Sequence, residues 1–359
     1  MSKIPMLENI QAQPASHRAL LALHTGSQRA TLAACGKLLR HATGRIIFTG
    51  MGGSLFAGIA AVNRLVQQGY AVQAIESAEL LHYGAAGLRV GDTGVVISRS
   101  GESIEPVLLA EKMREAGMNV IAVTNVPGSA LEKIANITLA IGAQSDKLIA
   151  VQTYTGTVLT LLLLAEAVAE SGKLAEDTVA ALPALEAHID ECLRASDGWQ
   201  DWLMGSPLYL LGRGPALGSV HEGALLLHET AKTAAVGMSS GQFRHGPAEI
   251  LSPDFRAVVF GSPAGTHALD RALADDLFSA GARVRWIGPA APGADHAPSL
   301  IPWPQMPPLL APIFEIVPLQ VAAYRLALWR GITPGDFRFV SEVTNTESGF
   351  LSSTPTIQT

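Results

Sequence analysis

The feature that most constrains this chain is the alternation of short β-branched segments with segments of helical periodicity. In the first half, strands are predicted at 45–50, 72–77, 94–98, 120–125 and 137–142. Helices are predicted at 54–67, where Ser54 can act as the N-cap, and at 104–116. Strands that alternate with helices form parallel βαβ units. The sequence therefore predicts an α/β fold with helices on both faces of a mostly parallel sheet.

The second half repeats this pattern. Further strands are predicted at 208–212, 256–262 and 283–288, with helices at 217–230 and 267–281. The openings FTGMGGSLFAGIAAV and LLGRGPALGSVHEGALLL can be laid over each other, about one domain length apart. We therefore predict two doubly wound, mostly parallel α/β sandwich domains in tandem. The predicted boundaries are a helical segment at 1–30, domains at 31–195 and 196–335, and a tail at 336–359.

Composition excludes several classes of protein. Apolar residues make up 48% of the 359 residues and charged residues only 16%, which argues against disorder and supplies material for buried cores. The net charge is −6 and no run of Lys and Arg forms a basic face, so a general nucleic-acid binder is excluded. Cys35 and Cys192 are too few for a disulfide framework or a zinc site, and we expect buried thiols in a reducing cytosol.

The sequence shows no targeting or membrane segment. The N-terminus lacks the apolar core of a secretion signal. The most apolar stretch, 158–169, is shorter than the roughly 20 residues that span a bilayer, and it carries Glu166. We interpret it as a buried helix of a cytoplasmic protein that has no membrane partner. The Pro-rich stretch at 301–320 is interpreted as a loop that leads into a buried closing helix.

The sharpest local signal is the segment SRSGES at 98–103, between a predicted strand and a predicted helix. Hydroxyl groups and successive backbone N–H groups at such a turn can cradle an anion, and the helix N-terminus adds partial positive charge. This combination of neutral donors suits a phosphomonoester. The alternative is an ordinary serine-rich turn with a helix cap.

A second glycine-rich turn, GMGGS at 50–54, follows the first predicted strand. Leu55 stands where a dinucleotide-binding fingerprint needs its third glycine, and no Walker lysine follows. No nucleotide cofactor and no metal are therefore expected. The turn can be a ligand loop or simply a tight connection between strand and helix.

Two glutamates carry the candidate acid–base chemistry. Glu222 and Glu229 lie seven residues apart and share one face of a predicted helix. A carboxylate in a cleft can take up and return a proton, and the imidazole of His245 can serve as a second acid or base near neutral pH. From the residues alone, the glutamates can equally belong to a solvated helix face, and His245 can be an ordinary loop histidine.

These motifs resemble those of the tandem sugar isomerase (SIS) domain proteins, and most of all the isomerase half of the glucosamine-6-phosphate synthase family. The resemblance covers nearly the whole chain. It depends on GMGGS, SRSGES, TNVPGSAL at 124–131, VQTYTGT at 151–157, HEGALLLHE at 221–229, RHGP at 244–247, and 311–331. It implies two SIS domains of flavodoxin-like fold, a sugar phosphate ligand, and a homodimer whose subunits share their sites.

The resemblance also implies roles for individual residues. Those that match the phosphate-binding loops are Gly52, Gly53, Ser54, Ser98, Arg99 through its backbone, Ser100 and Ser103. Gln152 and Thr153 match the loop that lines the sugar. Glu229 matches the carboxylate that moves a proton between C1 and C2 of the open-chain sugar. His245 matches the histidine that assists ring opening from the neighbouring subunit.

The chain also departs from the synthase pattern. It has Ser2 and no glutaminase domain with a cysteine nucleophile, so glutamine is not expected to donate nitrogen. The tail lysine that forms a Schiff base in the family aligns with Ser341, and the last lysine of the chain is Lys232. Leu226 and Tyr154 replace two other family lysines. These replacements count against a Schiff-base mechanism.

The expected function is that of an enzyme acting at C1–C2 of a hexose 6-phosphate that bears nitrogen. It would be an isomerase or an amino-sugar-phosphate deaminase that works by ring opening and proton transfer. A deglycase of amine-linked sugar 6-phosphates is a close alternative, because it begins with the same steps. A phosphoglucose/phosphomannose-type isomerase is another enzyme alternative, and a non-catalytic sugar-phosphate sensor belongs to a different class. The presence of both Glu229 and His245 favours catalysis.

Overall fold

The computed structural model describes residues 5–146, 149–205, 207–261, 265–289, 298–340 and 343–348. Within them lie two parallel β-sheets, each flanked by helices. The strands are β1 (Ile46–Gly50), β2 (Val72–Glu76), β3 (Thr93–Ile97), β4 (Asn119–Thr124), β5 (Ile137–Ala140), β6 (Leu208–Gly212), β7 (Ala235–Ser239), β8 (Arg256–Phe260) and β9 (Arg283–Ile287).

Helices connect the strands and close the core. They are α1 (Pro5–Thr25), α2 (Arg29–Arg40), α3 (Gly53–Gln67), α4 (Ser77–Glu79), α5 (Ile104–Glu115), α6 (Ala130–Ile134), α7 (Gln152–Val168), α8 (Lys173–Ala195), α9 (Gln200–Leu203), α10 (Leu217–Ala231), α11 (Ser240–Phe243), α12 (His267–Ser279), α13 (Ala311–Glu315) and α14 (Val317–Trp329). The helices predicted from the sequence are present, with ends within a few residues of those expected.

The two sheets share one topology. The first has five parallel strands in the order β2-β1-β3-β4-β5, the order of flavodoxin-like doubly wound folds. The second has four parallel strands in the corresponding order β7-β6-β8-β9. A single parallel bridge joins Trp286 of β9 to Ser299, beyond the last strand. The prediction of two doubly wound α/β domains in tandem is confirmed.

Among the strands of the described residues, β7 is the one that the sequence pattern misses. Its sequence, AVGMS, contains a glycine and is short, so it carries little β-branched signal. It lies at the edge of its sheet, where half-buried positions give no strict alternation. A Cβ added at Gly237 would lie 2.8 Å from the carbonyl oxygen of Val220, so this glycine allows α10 to pack closely on the strand.

One hydrophobic cluster joins the two domains. It contains residues of α1, α7, α8, α10 and α14 together with residues of the second sheet. Almost every residue of α7 is buried, as the interpretation of 158–169 as a core helix requires. The stretch Pro308–Trp329 is long and apolar enough to cross a membrane by length and composition, but 89% of its most apolar window is buried inside the protein. That burial is the pattern of a core helix.

Candidate active site

A cleft of about 320 Å³ opens at the carboxyl ends of β1 and β3, where the strand order of the first sheet reverses. Of the residues predicted to form the site, those that line it are Gly52, Gly53, Ser54, Arg99, Ser100, Ser103, Thr153 and Glu229. The structure thus brings most of the predicted site into one place. Ser98, Gln152 and His245 are not among the residues that line it.

The first wall of the cleft is the turn between β1 and α3. Gly52 is the N-cap of α3, with φ +48°, a backbone conformation that favours glycine. The prediction that Ser54 caps this helix is therefore wrong, because α3 begins at Gly53 and Ser54 lies in its first turn. As a result the Ser54 hydroxyl lies at the positive end of a helix of 15 residues and faces the cleft.

The second wall is the loop that follows β3. The Oγ of Ser98 accepts a hydrogen bond from the N–H of Gly101 at 3.1 Å and is buried, so it holds the loop in shape. Gly101 has φ +66°, and an added Cβ would lie 2.2 Å from the Oγ of Ser129. The N–H of Glu102 donates to the Oγ of Ser100 at 3.2 Å, which leaves the hydroxyl proton of Ser100 for a ligand.

Ser103 completes this wall. It is the N-cap of α5, and its side chain accepts no capping hydrogen bond from its own helix. Its hydroxyl is therefore able to donate to a bound anion rather than being used within the helix. Since α3 and α5 both begin at the cleft, two helix N-termini and three hydroxyl groups converge there. Such a set of donors is suited to a phosphate group.

The carboxylate of Glu229 faces this donor set from α10 in the second domain. Burial raises the pKa of Glu229 from 4.5 to about 7, although the positive charges of Lys232 and Arg99 partly oppose the shift. At neutral pH the group can therefore accept a proton and return it. The positive charge of the Arg99 side chain therefore acts on Glu229 in the cleft. The resemblance predicts a role only for the backbone of Arg99.

Lys232 lies directly beyond α10, in the left-handed conformation with φ +51°. Its Nζ donates to the backbone carbonyl of Glu229 and lies 5.6 Å from the ring centroid of Phe337. Burial and the charge of Arg338 lower its pKa. Lys232 is not among the residues that line the cleft, so its clearest effect there is electrostatic.

Glu222 is a functional candidate that the sequence argument considered and did not select. It lines the cleft two helical turns before Glu229 on α10 and is completely buried. Its Oε2 has no hydrogen-bond partner among the described residues. A Cβ added at Gly53 would lie 2.8 Å from that oxygen, so glycine at this position makes room for the carboxyl group. Burial and the negative charges of Glu229 and Asp146 raise the pKa of Glu222 well above 4.5, which favours its protonated form.

The start of α7 forms the floor of the cleft. Asp146 accepts hydrogen bonds from the N–H groups of Val151 and Thr153, each at 2.8 Å, and so anchors the helix N-terminus. The Nε2 of Gln152 points instead towards Asn9, at 3.4 Å from its Oδ1. Tyr154, which replaces a family lysine, lines the cleft as a buried residue.

The tail returns to the cleft, as the alignment of Ser341 with the family's tail lysine implied, although no local pattern indicated which tail residues line it. Phe337, Val340 and Thr344 line it, and the carbonyl oxygen of Thr344 accepts a hydrogen bond from the N–H of Ile104 at 3.0 Å. The segment thus lies across the N-terminus of α5. Ser341, the position aligned with the family's tail lysine, lies outside the described residues.

His245 lies apart from this cleft in the single chain. It follows α11 in an exposed loop, next to Gly246 with φ +121°. Its N–H donates to the carbonyl oxygen of Gln242 at 3.0 Å. The assignment of His245 to the site of a neighbouring subunit stays a prediction.

Comparison with known proteins connects these features to one domain family. Residues 38–169 match the SIS domain. The chain is 31% identical over 275 residues to a glutamine–fructose-6-phosphate aminotransferase of Pyrobaculum aerophilum, covering 71% of this chain and 44% of that protein. It is 29% identical over 303 residues to the enzyme of the same name from Pyrococcus horikoshii, covering 81% and 50%. The chain spans about half the length of these curated relatives.

Solved structures share the fold over both domains. The C-terminal domain of glucosamine-fructose-6-phosphate aminotransferase from Francisella tularensis gives a TM-score of 0.81 at 18% identity, covering 92% of this chain and 97% of that one. Glucosamine-6-phosphate deaminase from Thermotoga maritima gives 0.76 at 19%, covering 94% and 99%. Tagatose-6-phosphate ketose/aldose isomerase from Escherichia coli gives 0.72 at 23%, covering 91% and 93%. The chain therefore contains a SIS domain and resembles the isomerase part of the glutamine–fructose-6-phosphate aminotransferases.

Proposed function

We propose that this protein is an enzyme that transfers a proton between C2 and C1 of a hexose 6-phosphate carrying an amino or amine-linked group. One observation carries the proposal. A carboxylate with a pKa of about 7, that of Glu229, lines the same cleft as the hydroxyls of Ser54, Ser100 and Ser103. A phosphate in the hydroxyl cradle would fix the sugar, and Glu229 would then face its reacting carbons.

The proposed reaction begins with the open-chain sugar, which has a C1 aldehyde and a nitrogen on C2. Glu229 takes the proton from C2, and the electron pair of that C–H bond forms a C1–C2 double bond as O1 gains a proton. Returning the proton to C1 gives a C2 imine. Water then adds at C2 and ammonia leaves, which yields the ketose phosphate. With a hydroxyl on C2 instead of nitrogen, the same transfer is an aldose–ketose isomerisation.

Glu222 is suited to assist this transfer. Because its burial favours the protonated form, its carboxyl group is suited to donate a hydrogen bond to the oxygen that gains negative charge in the transition state. No lysine side chain is among the described residues that line the cleft. This arrangement supports acid–base chemistry without a Schiff base.

Among the possible reactions, we place deamination or isomerisation of an amino-sugar phosphate first. Similar folds occur in a glucosamine-6-phosphate deaminase and in a tagatose-6-phosphate ketose/aldose isomerase. A deglycase is the second candidate. It would act on a ketose phosphate whose amine is linked at C1, where the reverse proton transfer, from C1 to C2, gives a C1 imine that water hydrolyses to the aldose phosphate and the free amine. Deamination releases ammonia, the deglycase releases an amine and isomerisation releases nothing, and therefore a substrate panel separates the three reactions.

Turnover in deuterium oxide tests the proton transfer. Glucosamine 6-phosphate and related hexose 6-phosphates are incubated with the protein, and NMR detects deuterium at C1 or C2. We expect label at C1, because a carboxyl group exposed to the cleft exchanges its proton with solvent. Glu229→Gln should lower kcat by about 10²–10⁴-fold and leave substrate affinity nearly unchanged. Glu249→Gln, an exposed glutamate outside the cleft, is the control.

A fully active Glu229→Gln protein would contradict the catalytic assignment. A wild-type protein that binds the sugar phosphates tightly and turns over none of them would instead favour a sensor. Calorimetry on the same preparations separates these outcomes, because binding and turnover are then measured on one sample.

We further propose that the protein works as a homodimer in which His245 of one subunit assists ring opening in the site of the other. The exposed position of His245, outside the cleft of its own chain, supports this arrangement. Mixing inactive Glu229→Gln and His245→Asn proteins should restore part of the activity, because one site of each hybrid dimer has both wild-type groups. An inactive mixture with proven subunit exchange would place both residues in one subunit.

A further inference from the structure

A second cavity, of about 520 Å³, lies at the carboxyl edge of the second sheet. It shares no lining residue with the cleft described above. Arg213 and Gly214, which directly follow β6, and Thr266, at the start of α12, line it. Because β6 and β8 are neighbours at which the strand order reverses, the cavity occupies the point where doubly wound folds bind ligands.

Two arginines in this cavity are already held in position. The Nε of Arg213 donates to Asp270 at 3.1 Å, and the Nε of Arg64 donates to Glu166 at 2.8 Å. Both carboxylates are buried, which fixes the guanidinium groups. Among the described residues, the terminal nitrogens of these two guanidinium groups have no hydrogen-bond acceptor. They are therefore available to a ligand.

A buried carboxyl group faces the same space. Glu315 lines the cavity and is only 3% exposed. Its Oε1 accepts a hydrogen bond from the hydroxyl of Ser219 at 2.8 Å, which leaves Oε2 for another donor. Carboxylate oxygens accept hydrogen bonds from the hydroxyl groups of a sugar ring. The side chain of Asn63, on α3, adds a further polar group to the cavity wall.

The remaining wall is apolar. It is formed by residues such as Pro215, Leu309 and Pro312. A concave site with a mostly apolar lining and a few convergent polar groups is the usual form of a small-molecule site, and the volume is within the usual range of about 300–1,000 Å³. The wall offers a surface on which the apolar face of a ring can pack.

We propose that this cavity is a second ligand site, which binds a phosphorylated metabolite containing a hydroxylated sugar ring. The guanidinium groups of Arg64 and Arg213 recognise the phosphate, and the N-terminus of α12 adds partial positive charge beside them. Glu315 and Asn63 accept hydrogen bonds from ring hydroxyls. A hexose phosphate and a nucleoside monophosphate both present this chemistry.

The cavity is connected to the first cleft by two paths. Helix α3 has its first turn in the cleft and its last two turns, with Asn63 and Arg64, along the cavity. Ser219, which holds Glu315, also lies close enough to the hydroxyl of Tyr154, a residue of the cleft, to influence its pKa. A ligand in the cavity therefore contacts groups that also shape the cleft.

Calorimetry on a protein with a weakened first site tests the proposal. Glucose 6-phosphate and uridine 5′-monophosphate are titrated into a Ser100→Ala/Ser103→Ala protein. We expect one of these probes to bind with one site per chain. Adding Asn63→Asp or Gln67→Glu, each of which places a negative charge in the cavity wall, should weaken that binding by about tenfold or more.

Gln11→Glu adds the same charge at an exposed position outside both pockets and should leave the affinity unchanged. Circular dichroism establishes that each variant is folded. If neither probe binds, or if both cavity variants bind as the parent does, the second site is wrong. Turnover is also measured on a protein that carries Asn63→Asp and an unchanged first cleft. Because Asn63 is not part of that cleft, this measurement tests the proposed function separately from binding in the second cavity.

Discussion

The two domains place different chemistry at the same edge of nearly the same sheet. At the end of β3, the first domain has a loop in which the hydroxyls of Ser100 and Ser103 are able to donate to a ligand. At the end of β6, the second domain has Arg213, fixed by a buried carboxylate and surrounded by an apolar wall. The strand order positions a ligand in both cases, but the loop residues decide which ligand fits. The comparison shows why a shared fold does not imply a shared function.

Two glycines show that the loops of the two domains differ in how tightly they are packed. Gly101 and Gly265 lie in the loops that follow β3 and β8, with φ of +66° and +57°. An added Cβ at Gly101 would meet the side chains of Ser129 and Thr124, whereas at Gly265 nothing lies within 4 Å. The first loop is therefore packed into a single shape against the next strand and helix. Around Gly265 no comparable packing contact exists among the described residues.

The largest expected difference between the domains concerns substrate affinity. Ser100→Ala and Ser103→Ala each remove a hydroxyl donor to a charged group, which is worth roughly 1.5–3 kcal/mol. Each should weaken sugar-phosphate binding in the first cleft by about tenfold or more. Thr266→Ala, which removes a hydroxyl from the second cavity, is the matched control and should leave substrate affinity unchanged. Equal affinity in all three variants, measured by calorimetry, would remove the serine loop from the substrate site.

A smaller difference is expected in stability. Gly265→Ala should lower the free energy of unfolding by about 1 kcal/mol, the usual cost of a left-handed conformation for a residue with a Cβ. Gly101→Ala adds a steric overlap to this cost and should lower it by roughly 2–3 kcal/mol. Chemical denaturation measures both values. Equal losses in the two variants would show that the first loop is no more tightly packed than the second.

The fold was predictable because its signals are local and repeated. Eight of the nine strands were predicted, because their β-branched or other apolar segments follow the chain order of a βαβ pattern. The strand β7 was missed, because an edge strand with a central glycine has no such pattern. The serine loop was likewise recognised because all its donors are adjacent in sequence. The domain boundaries remain a prediction.

The parts of the site that could not be predicted from the sequence depend on packing between segments far apart in the chain. Periodicity places Glu222 and Glu229 on one face, but only the approach of Gly53 shows that Glu222 is a buried carboxyl group rather than a solvated one. The alignment of Ser341 with the family's tail lysine implied that the tail returns to the site. The positions of Phe337 and Thr344 in the cleft had no signal of their own, since they depend on contacts between distant segments. The sequence signal for the contact with Glu222 was Gly53 itself, because a residue without a Cβ allows another group to approach the backbone closely.

A further expected difference concerns pH and the carboxyl group of the second cavity. Burial raises the pKa of Glu315 from 4.5 to about 7. Between these values the folded chain holds a proton at Glu315 that the unfolded chain has lost, so this group lowers the free energy of unfolding as pH rises from about 4.5 to 7. In the Glu315→Gln variant, the glutamine side chain cannot ionise. Relative to wild type, it should therefore gain stability between pH 5 and 8, on the order of 2 kcal/mol.

Two histidines act in the opposite direction, which is why the variant and the wild type must be compared at each pH. Burial lowers the pKa values of His17 and His188 from 6.5 to about 4, so these groups raise the free energy of unfolding as pH rises through that window. They contribute equally to both proteins and cancel in the difference. Chemical denaturation from pH 5 to 8, with the exposed Glu249→Gln as control, should show a gain for Glu315→Gln alone. A constant difference across this range would mean that Glu315 is already ionised in the folded cavity.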